Sequence, residues 1–132
     1  MSLDLDRLPE AVIAFLAERH IATLSTQRPD GSLHVTPVGF GYDASGRTAR
    51  IITFEGARKA RNLEAEGGLG RAVLCQVDGG RWLTLEGRGR VVRDAAAVAR
   101  AVEAYSARFG VPGEREGRIA IEVAVERIMG RG

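Results

Sequence analysis

The sequence has few of the residue types on which catalytic sites and disulfide frameworks commonly depend. A single cysteine, Cys75, among 132 residues excludes an intrachain disulfide, and its apolar neighbours at 72–74 predict a small buried side chain. His20 and His34 have no cysteine or carboxylate at metal-ligand spacing, so no metal site is expected. No hydrolase motif and no glycine-rich dinucleotide loop are present. The sequence therefore assigns no catalytic side chain.

Long apolar runs and a basic stripe are also missing. No stretch is long and apolar enough for a membrane span or a signal peptide, so a cytoplasmic protein without a membrane partner is expected. Lysine and arginine number 19 and the acidic residues 17, which gives a net charge of +2. Aromatic residues make up only 5% and do not interleave with basic ones, so nucleic acid is not an expected partner.

Apolar periodicity and turn residues predict one domain, residues 1–132, built mainly of β-strands. Helical spacing occurs at 8–19, at about 57–66 and at 95–109, where Asp94 is the expected N-cap. Strands are predicted at 21–26, 33–42, 48–54, 71–78, 81–93 and 118–129. The turns between them are short, which favours antiparallel pairing. Because a flat six-stranded sheet would expose long apolar edges, we expect a closed or nearly closed barrel with peripheral helices.

The predicted helix at 57–66 carries its charges in the unfavourable order. Arg58, Lys59 and Arg61 lie in its first turns, whereas Glu64 and Glu66 lie near its end, and both placements oppose the helix dipole. A bound anion would turn these cations into ligands, because they and the free N–H groups would converge on it. Lys59 is also the only lysine of the chain. The pattern predicts a phosphate site, with a solvated basic turn as the alternative.

The only tryptophan lies on the polar face of its strand. Along 81–93, alternation places Leu83 and Leu85 on one face and Trp82 on the other, among polar and charged neighbours. This position favours a ligand contact or a subunit interface, with packing beneath a local loop as the alternative. The glycines at 87 and 89 predict a β-bulge or a close backbone approach.

Several segments together resemble one protein family. The first half of the chain contains IATLST at 21–26, RPDGS at 28–32 and HVTPV at 34–38, and ITFEGARKARNL at 52–63 precedes GRWLTLEG at 80–87. In this order the segments resemble the split β-barrel flavin and deazaflavin oxidoreductases related to pyridoxamine 5′-phosphate oxidase. The runs FLAERH at 15–20 and CQVDGGRWL at 75–83 are similar in particular to those of the actinobacterial F420-dependent biliverdin reductases.

The resemblance implies a six-stranded antiparallel split β-barrel of the FMN-binding type, and a homodimer with two cofactor sites at the subunit interface. The implied cofactor is the deazaflavin coenzyme F420, whose reduced form would donate a hydride while the protein positions the reactants and excludes water. Lys59 would contact the cofactor phosphate, helped by Arg58 and Asn62. The residues implied along the ring and ribityl chain are His34, Val35, Thr36, Pro37, Ile52, Thr53, Gln76 and Trp82.

Other functions fit the same pattern. FMN is the alternative cofactor, because the phosphate motif does not distinguish it from F420, and a non-catalytic deazaflavin carrier is the alternative to an enzyme. The expected acceptor is a small conjugated molecule, with biliverdin as the first candidate and quinones among the others. Guanidinium groups suited to propionate carboxylates are those of Arg58, Arg61, Arg88 and Arg90. Alternatively, the last two pair with Glu86 and Glu122 on a solvated face.

Overall fold

The computed structural model describes residues 2–132 as three helices and seven strands. The helices are α1 (Glu10–Ala17), α2 (Arg58–Ala65) and α3 (Ala95–Phe109). The strands are β1 (Ala22–Gln27), β2 (Leu33–Val38), β3 (Phe40–Asp43), β4 (Thr48–Phe54), β5 (Gly70–Asp78), β6 (Arg81–Val92) and β7 (Arg118–Arg131). Each predicted element is found, and one predicted strand is divided in two. None of the three helices has the length and apolarity that crossing a bilayer requires.

The seven strands form one antiparallel sheet in the order β2-β1-β5-β6-β7-β4-β3. Strands β2 and β3 lie at its opposite edges, although only Gly39 separates them along the chain. The sheet therefore curls until its two edges meet at this junction. No pairing between β2 and β3 closes the barrel within residues 2–132. The antiparallel barrel architecture is confirmed, whereas complete closure is not found.

The break at Gly39 corrects the prediction of six strands with a single strand over 33–42. A Cβ atom at residue 39 would lie 2.9 Å from Cε2 of Phe109 and 3.0 Å from Cε2 of Tyr105. Glycine leaves room for these two α3 side chains against the backbone. The contact joins residues far apart in the sequence, so the local alternation of 33–42 does not reveal the break.

The hydrophobic core lies inside the curled sheet, because alternate residues of each strand point inward. Helix α1 adds Val12, Phe15 and Leu16 to it. Large side chains buried in this core come from α1, α2 and six of the strands: Phe15, Leu63, Leu24, Phe40, Ile51, Leu74, Leu83, Leu85, Ile121 and Ile128.

Two local predictions are confirmed, one in the middle of β6 and one at the start of α3. The register of β6 with β7 shifts between Glu86 and Gly87, and a Cβ atom on Gly87 would lie 2.1 Å from the carbonyl oxygen of Ala124. The predicted bulge and close approach therefore occur together. Asp94 caps α3, because its Oδ2 accepts a hydrogen bond from the N–H of Ala97 at 3.1 Å.

A buried arginine, Arg108, ties α3 to the barrel. It donates from Nε to the carbonyl of Glu18 at 2.6 Å and from Nη1 to the carbonyl of Phe40 at 2.8 Å. Its Nη2 donates to Oε1 of Gln76 at 2.8 Å and to the carbonyl of Phe15 at 3.4 Å. Burial lowers the pKa of Arg108 to about 10, so the side chain stays charged at neutral pH. One side chain thus links α3 with α1, β3 and β5.

Candidate functional site

A cavity of about 310 Å³ opens where the β2–β3 junction, β4, α2 and the segment after α3 meet. Four residues of the predicted cofactor site line it, namely Pro37, Ile52, Thr53 and Lys59. The residues that complete its wall are Val38, Gly39, Phe54, Tyr105, Pro112, Arg115 and Arg118. The cavity therefore joins the predicted phosphate-binding strand and helix to residues from the last third of the chain.

Two cations of this cavity lie near the same aromatic ring. The Nζ atom of Lys59 is 5.7 Å from the centroid of the Phe54 ring, and Cζ of Arg115 is 3.8 Å from that centroid. No carboxylate of residues 2–132 lies within 4.0 Å of Lys59, Arg58 or Arg115. Burial, and secondly the charge of Arg115, hold the pKa of Lys59 below its usual value of 10.5. Over the described part of the chain these cations have no counterion.

The two ends of α2 differ in how their unfavourable charges are compensated. At the C-terminal end, Glu64 pairs with Arg93 at 2.8 Å, and Glu66 accepts a hydrogen bond from the N–H of Arg71 at 3.3 Å. At the N-terminal end the helix begins without a side-chain cap, and its first turn contains no acidic residue. The acids at one end are thus compensated by other elements, whereas the cations at the other are not. This arrangement is typical of an anion site.

Buried polar atoms without partners lie beside these cations. Thr53 lines the cavity, and its Oγ1 has no hydrogen-bond partner within residues 2–132 although the residue is only 6% exposed. The Nδ1 atom of His34 is also buried and unpartnered among residues 2–132. Burial, followed by the charges of Arg28, Lys59 and Arg58, lowers the pKa of His34, so its imidazole is neutral at pH 7. Because an unmade buried hydrogen bond costs free energy, both atoms are candidate ligand contacts.

Asn62 anchors α2 to the barrel. It is 1% exposed, and its Nδ2 donates to Oγ1 of Thr26 on β1 at 3.1 Å. The bond fixes the helix that carries Lys59 and Arg58, so Asn62 helps to position the cations. On β2, Thr36 is half-buried opposite Leu24, whereas Val35 points outward and is exposed.

Seven of the predicted site residues do not line the cavity, namely Gln76 and Trp82 together with His34, Val35, Thr36, Arg58 and Asn62. Gln76 is 1% exposed, and its amide accepts from Arg108 and donates to the carbonyl of Phe15 at 3.2 Å. Trp82 is 40% exposed on the outer face of β6, where it pairs in register with Val77 of β5. The structure therefore gives Gln76 a place in the Arg108 network and Trp82 a place on the outer sheet surface. Their contacts with a cofactor ring stay predictions.

The sequence pattern does not predict the cavity wall contributed by the last third of the chain. Helical spacing counts Tyr105 among the apolar positions of α3, which predicts core packing. Arg115 precedes β7 and Arg118 is its first residue, and no sequence motif distinguishes either from the other arginines. The detectable signal is the proline and glycine composition of 110–117, which marks a loop long enough to reach across a barrel end.

The alternative role considered for Arg90 is found in the structure. Its Nη2 lies 2.8 Å from Oε1 of Glu122, which is only 8% exposed. Glu86 instead lies 3.8 Å from Arg127 of β7. Arg90 is thus engaged within the fold, whereas Arg88 pairs with no acid of residues 2–132 within 4.0 Å.

A cluster of possible metal ligands forms from residues that are distant in sequence. The ligand atoms of Glu18, His20 and Asp78 lie within 4.8 Å of one another. The guanidinium of Arg81 bonds both acids, at 3.0 Å from Glu18. Hydrogen bonds from Arg81, and secondly from His20, lower the pKa of Glu18 to about 2. Arg81 thus supplies the positive charge of this exposed cluster.

Comparison with known protein families gives a match over nearly the whole chain. The family model described as pyridoxamine 5′-phosphate oxidase matches residues 8–131. The chain belongs to the pyridoxamine 5′-phosphate oxidase family. The family resemblance inferred from the strand and helix motifs is thereby confirmed.

Individual proteins similar to this chain include one curated relative and two solved structures. The F420H(2)-dependent biliverdin reductase of Mycobacterium tuberculosis (strain CDC 1551 / Oshkosh) is 47% identical over 124 residues, which cover 94% of this chain and 88% of that protein. A conserved hypothetical protein of Mycobacterium tuberculosis has a TM-score of 0.76 and 22% identity, over 95% of this chain and 85% of its own. A protein named F420 reductase has a TM-score of 0.71 and 23% identity, over 92% and 98%. The two structures show a shared fold.

Proposed function

We propose that this protein is an F420-dependent oxidoreductase that transfers a hydride from the reduced deazaflavin to a conjugated acceptor, with biliverdin as the acceptor to test first. The observation that carries the proposal is Lys59, a half-buried cation without an acidic partner among the described residues, in a cavity beside the uncapped start of α2. The 47% identity to an F420H(2)-dependent biliverdin reductase supports this choice of cofactor and acceptor.

The residues around the cavity fit a phosphorylated cofactor. Lys59 would neutralise the phosphate, and the first-turn N–H groups of α2 would donate to its oxygens. The hydroxyl of Thr53, which is unpartnered among residues 2–132, would form a hydrogen bond with a polar group of the ribityl chain. Pro37 and Ile52 would pack against the cofactor and keep water from it. When bound, the reduced deazaflavin supplies the hydride.

The protein contributes position more than acid–base chemistry. No side chain of the predicted site is assigned as a proton donor, which favours an acceptor whose negative charge is delocalised or whose proton comes from solvent. Biliverdin is such an acceptor, and guanidinium groups suit its propionate carboxylates. Arg58, Arg61 and Arg88 are the candidates for this contact, because none of them is paired within 4.0 Å with an acid of residues 2–132.

A homodimer would supply the second wall of the site. Directly opposed residues of neighbouring strands share one face of a sheet, which places Pro37, Thr23, Cys75 and Thr84 in one outward row. The exposed hydrophobic side chains of this face include Val35 at 57%, Val77 at 62% and Trp82 at 40%, and the face also carries the charged residues Glu86 and Arg88. Because Pro37 also lines the cavity, an interface on this face would adjoin the cofactor site. The cytoplasmic location expected from the sequence stays a prediction.

Light scattering at micromolar protein concentration tests the dimer. The wild-type protein is expected to have twice the mass of the chain, and Val77→Asp on the outer face is expected to lower this mass. Ile13→Asp is the matched control, since Ile13 is 50% exposed on α1 and does not lie on that face. A monomeric wild-type protein, with and without cofactor, would contradict the interface.

Separate titrations with F420 and FMN, followed by fluorescence, test the cofactor. F420 is expected to bind more tightly, and tighter binding of FMN would assign the protein to the FMN-dependent members of its fold. Reduced F420 is then mixed with biliverdin, and reoxidation of the cofactor is expected to accompany the loss of biliverdin absorbance. If the cofactor stays reduced with biliverdin, quinones and nitroaromatic acceptors, the protein is a deazaflavin carrier.

A further inference from the structure

The loop between α3 and β7 brings an additional cation to the cavity. It covers residues 110–117 and is bounded by Gly110 and Gly117, which have φ angles of 93° and 72°. Both angles lie in the left-handed region that glycine adopts without strain. Within this loop, Arg115 lies with Cζ 3.8 Å from the centroid of the Phe54 ring, while Pro112 lines the same cavity.

Arg115 does not use the acids beside it in the sequence. Glu114 and Glu116 flank it, yet no salt bridge within 4.0 Å forms between Arg115 and any carboxylate of residues 2–132. The guanidinium lies instead on Phe54, near which Lys59 also lies. The charge of Arg115 acts unfavourably on Lys59 and helps to lower the pKa of its ammonium group. An anion bound between the two like charges would offset their repulsion and stabilise this arrangement.

We propose that Arg115 is a second anion ligand of this cavity, and that Arg115 and Lys59 bind one oxyanion group between them beside Phe54. Arginine supplies a planar pair of donors and lysine a point charge, so the two complement each other around a phosphate or a carboxylate. The buried hydroxyl of Thr53, which has no partner among residues 2–132, lines the same cavity beside this pair. The identity of the anion rests on the proposed function, because it is either the cofactor phosphate or a carboxylate of the acceptor.

Three variants separate the role of Arg115 from a general effect of charge. Arg115→Gln removes the charge, Arg115→Lys keeps the charge but removes the fork, and Arg7→Gln removes an exposed arginine that does not line the cavity. Each protein is titrated with inorganic phosphate while its thermal stability is followed, then with F420 for Kd, and finally assayed with biliverdin for KM. The phosphate titration needs neither cofactor nor turnover, so it remains informative if the proposed function is wrong.

Arg115→Gln is expected to weaken phosphate stabilisation and to raise either Kd for F420 or KM for biliverdin by about tenfold, the low end for a hydrogen bond to a charged group. Arg115→Lys is expected to be intermediate, and Arg7→Gln to match the wild type. A raised Kd assigns the anion to the cofactor, and a raised KM with an unchanged Kd assigns it to the acceptor. Values within twofold of wild type for phosphate, F420 and biliverdin would overturn the proposal. Arg115-dependent phosphate binding in a wild-type protein that does not bind F420 would refute the proposed function alone.

Discussion

Two cations withdrawn from water, Arg108 and Lys59, have opposite surroundings. Arg108 donates four hydrogen bonds, three to backbone carbonyls and one to the side chain of Gln76. Lys59 has no acidic partner within 4.0 Å among residues 2–132, and the charge that helps to lower its pKa is that of another cation, Arg115. Burial lowers the pKa of both groups. Both cations are therefore desolvated, and they differ in that Arg108 is surrounded by hydrogen-bond acceptors.

This difference distinguishes Arg108, a cation that stabilises the fold, from Lys59, a cation proposed to bind a ligand. A buried charge with four of its five N–H donors hydrogen-bonded holds neighbouring elements together, as Arg108 does for α3, α1 and β3. A partly buried charge without acceptors makes the free protein less stable, and the cost is removed only when an anion arrives. Variants of the first kind of site are expected to lose stability, and variants of the second kind to lose affinity.

The largest expected effect comes from breaking the satisfied site. Arg108→Met removes the donors and leaves buried acceptors of Glu18, Phe40 and Gln76 without partners. The free energy of unfolding is expected to fall by about 3 kcal/mol or more, because each unsatisfied buried group costs about 1–3 kcal/mol. Urea unfolding measures the change. Arg108→Met with wild-type stability would show that the network does not hold α3.

The opposite result is expected at the unsatisfied site. Lys59→Met keeps the apolar stem over Phe54 and removes the charge, so Kd for F420 is expected to rise roughly tenfold to a hundredfold, or about 1.5–3 kcal/mol. Stability without ligand is expected to stay the same or increase. Fluorescence titration and urea unfolding measure the two quantities, with Arg7→Gln as the charge control. Wild-type affinity in Lys59→Met would show that this lysine is not a cofactor ligand.

A smaller effect is expected from two buried threonines that differ in the same way. Thr26 accepts a hydrogen bond from Asn62 at 3.1 Å, whereas the hydroxyl of Thr53 has no partner in the described part of the chain. Thr26→Val is expected to lower stability by about 1 kcal/mol, because it leaves the Asn62 amide unpaired. Thr53→Val is expected to leave stability unchanged or raise it, and to weaken F420 binding several-fold. Equal stability losses in the two variants would remove the distinction.

Local chemistry predicts much of this fold. Asp94 with the helical pattern after it fixes the start of α3, and the paired glycines at 79 and 80 fix the β5–β6 hairpin. The reversed charges of α2 indicate Lys59 as a candidate anion ligand without any knowledge of the sheet. These features depend on neighbours within a few residues, so the sequence displays them directly.

Features that depend on distant contacts are not visible in the sequence. Gly39 divides a strand because Tyr105 and Phe109 of α3 pack on its backbone, and Arg115 reaches the cavity only through the curl of the sheet. Gln76 offers a partial signal, since it alternates with Leu74 at an inward position and a polar side chain there needs a buried partner. The partner is Arg108, and nothing near Arg108 in the sequence indicates it.

The pKa of Lys59 tests the central claim most directly, because this residue is the only lysine and gives a single side-chain signal in a carbon-detected NMR titration. In the free protein the pKa is expected below 10.5, so the unfolded state binds more protons between the two values and the stability of the free protein rises with pH there. With F420 bound, the phosphate is expected to raise the Lys59 pKa above its value in the free protein. A Lys59 pKa that stays unchanged when F420 binds would contradict the account, because the cofactor phosphate would then lie elsewhere.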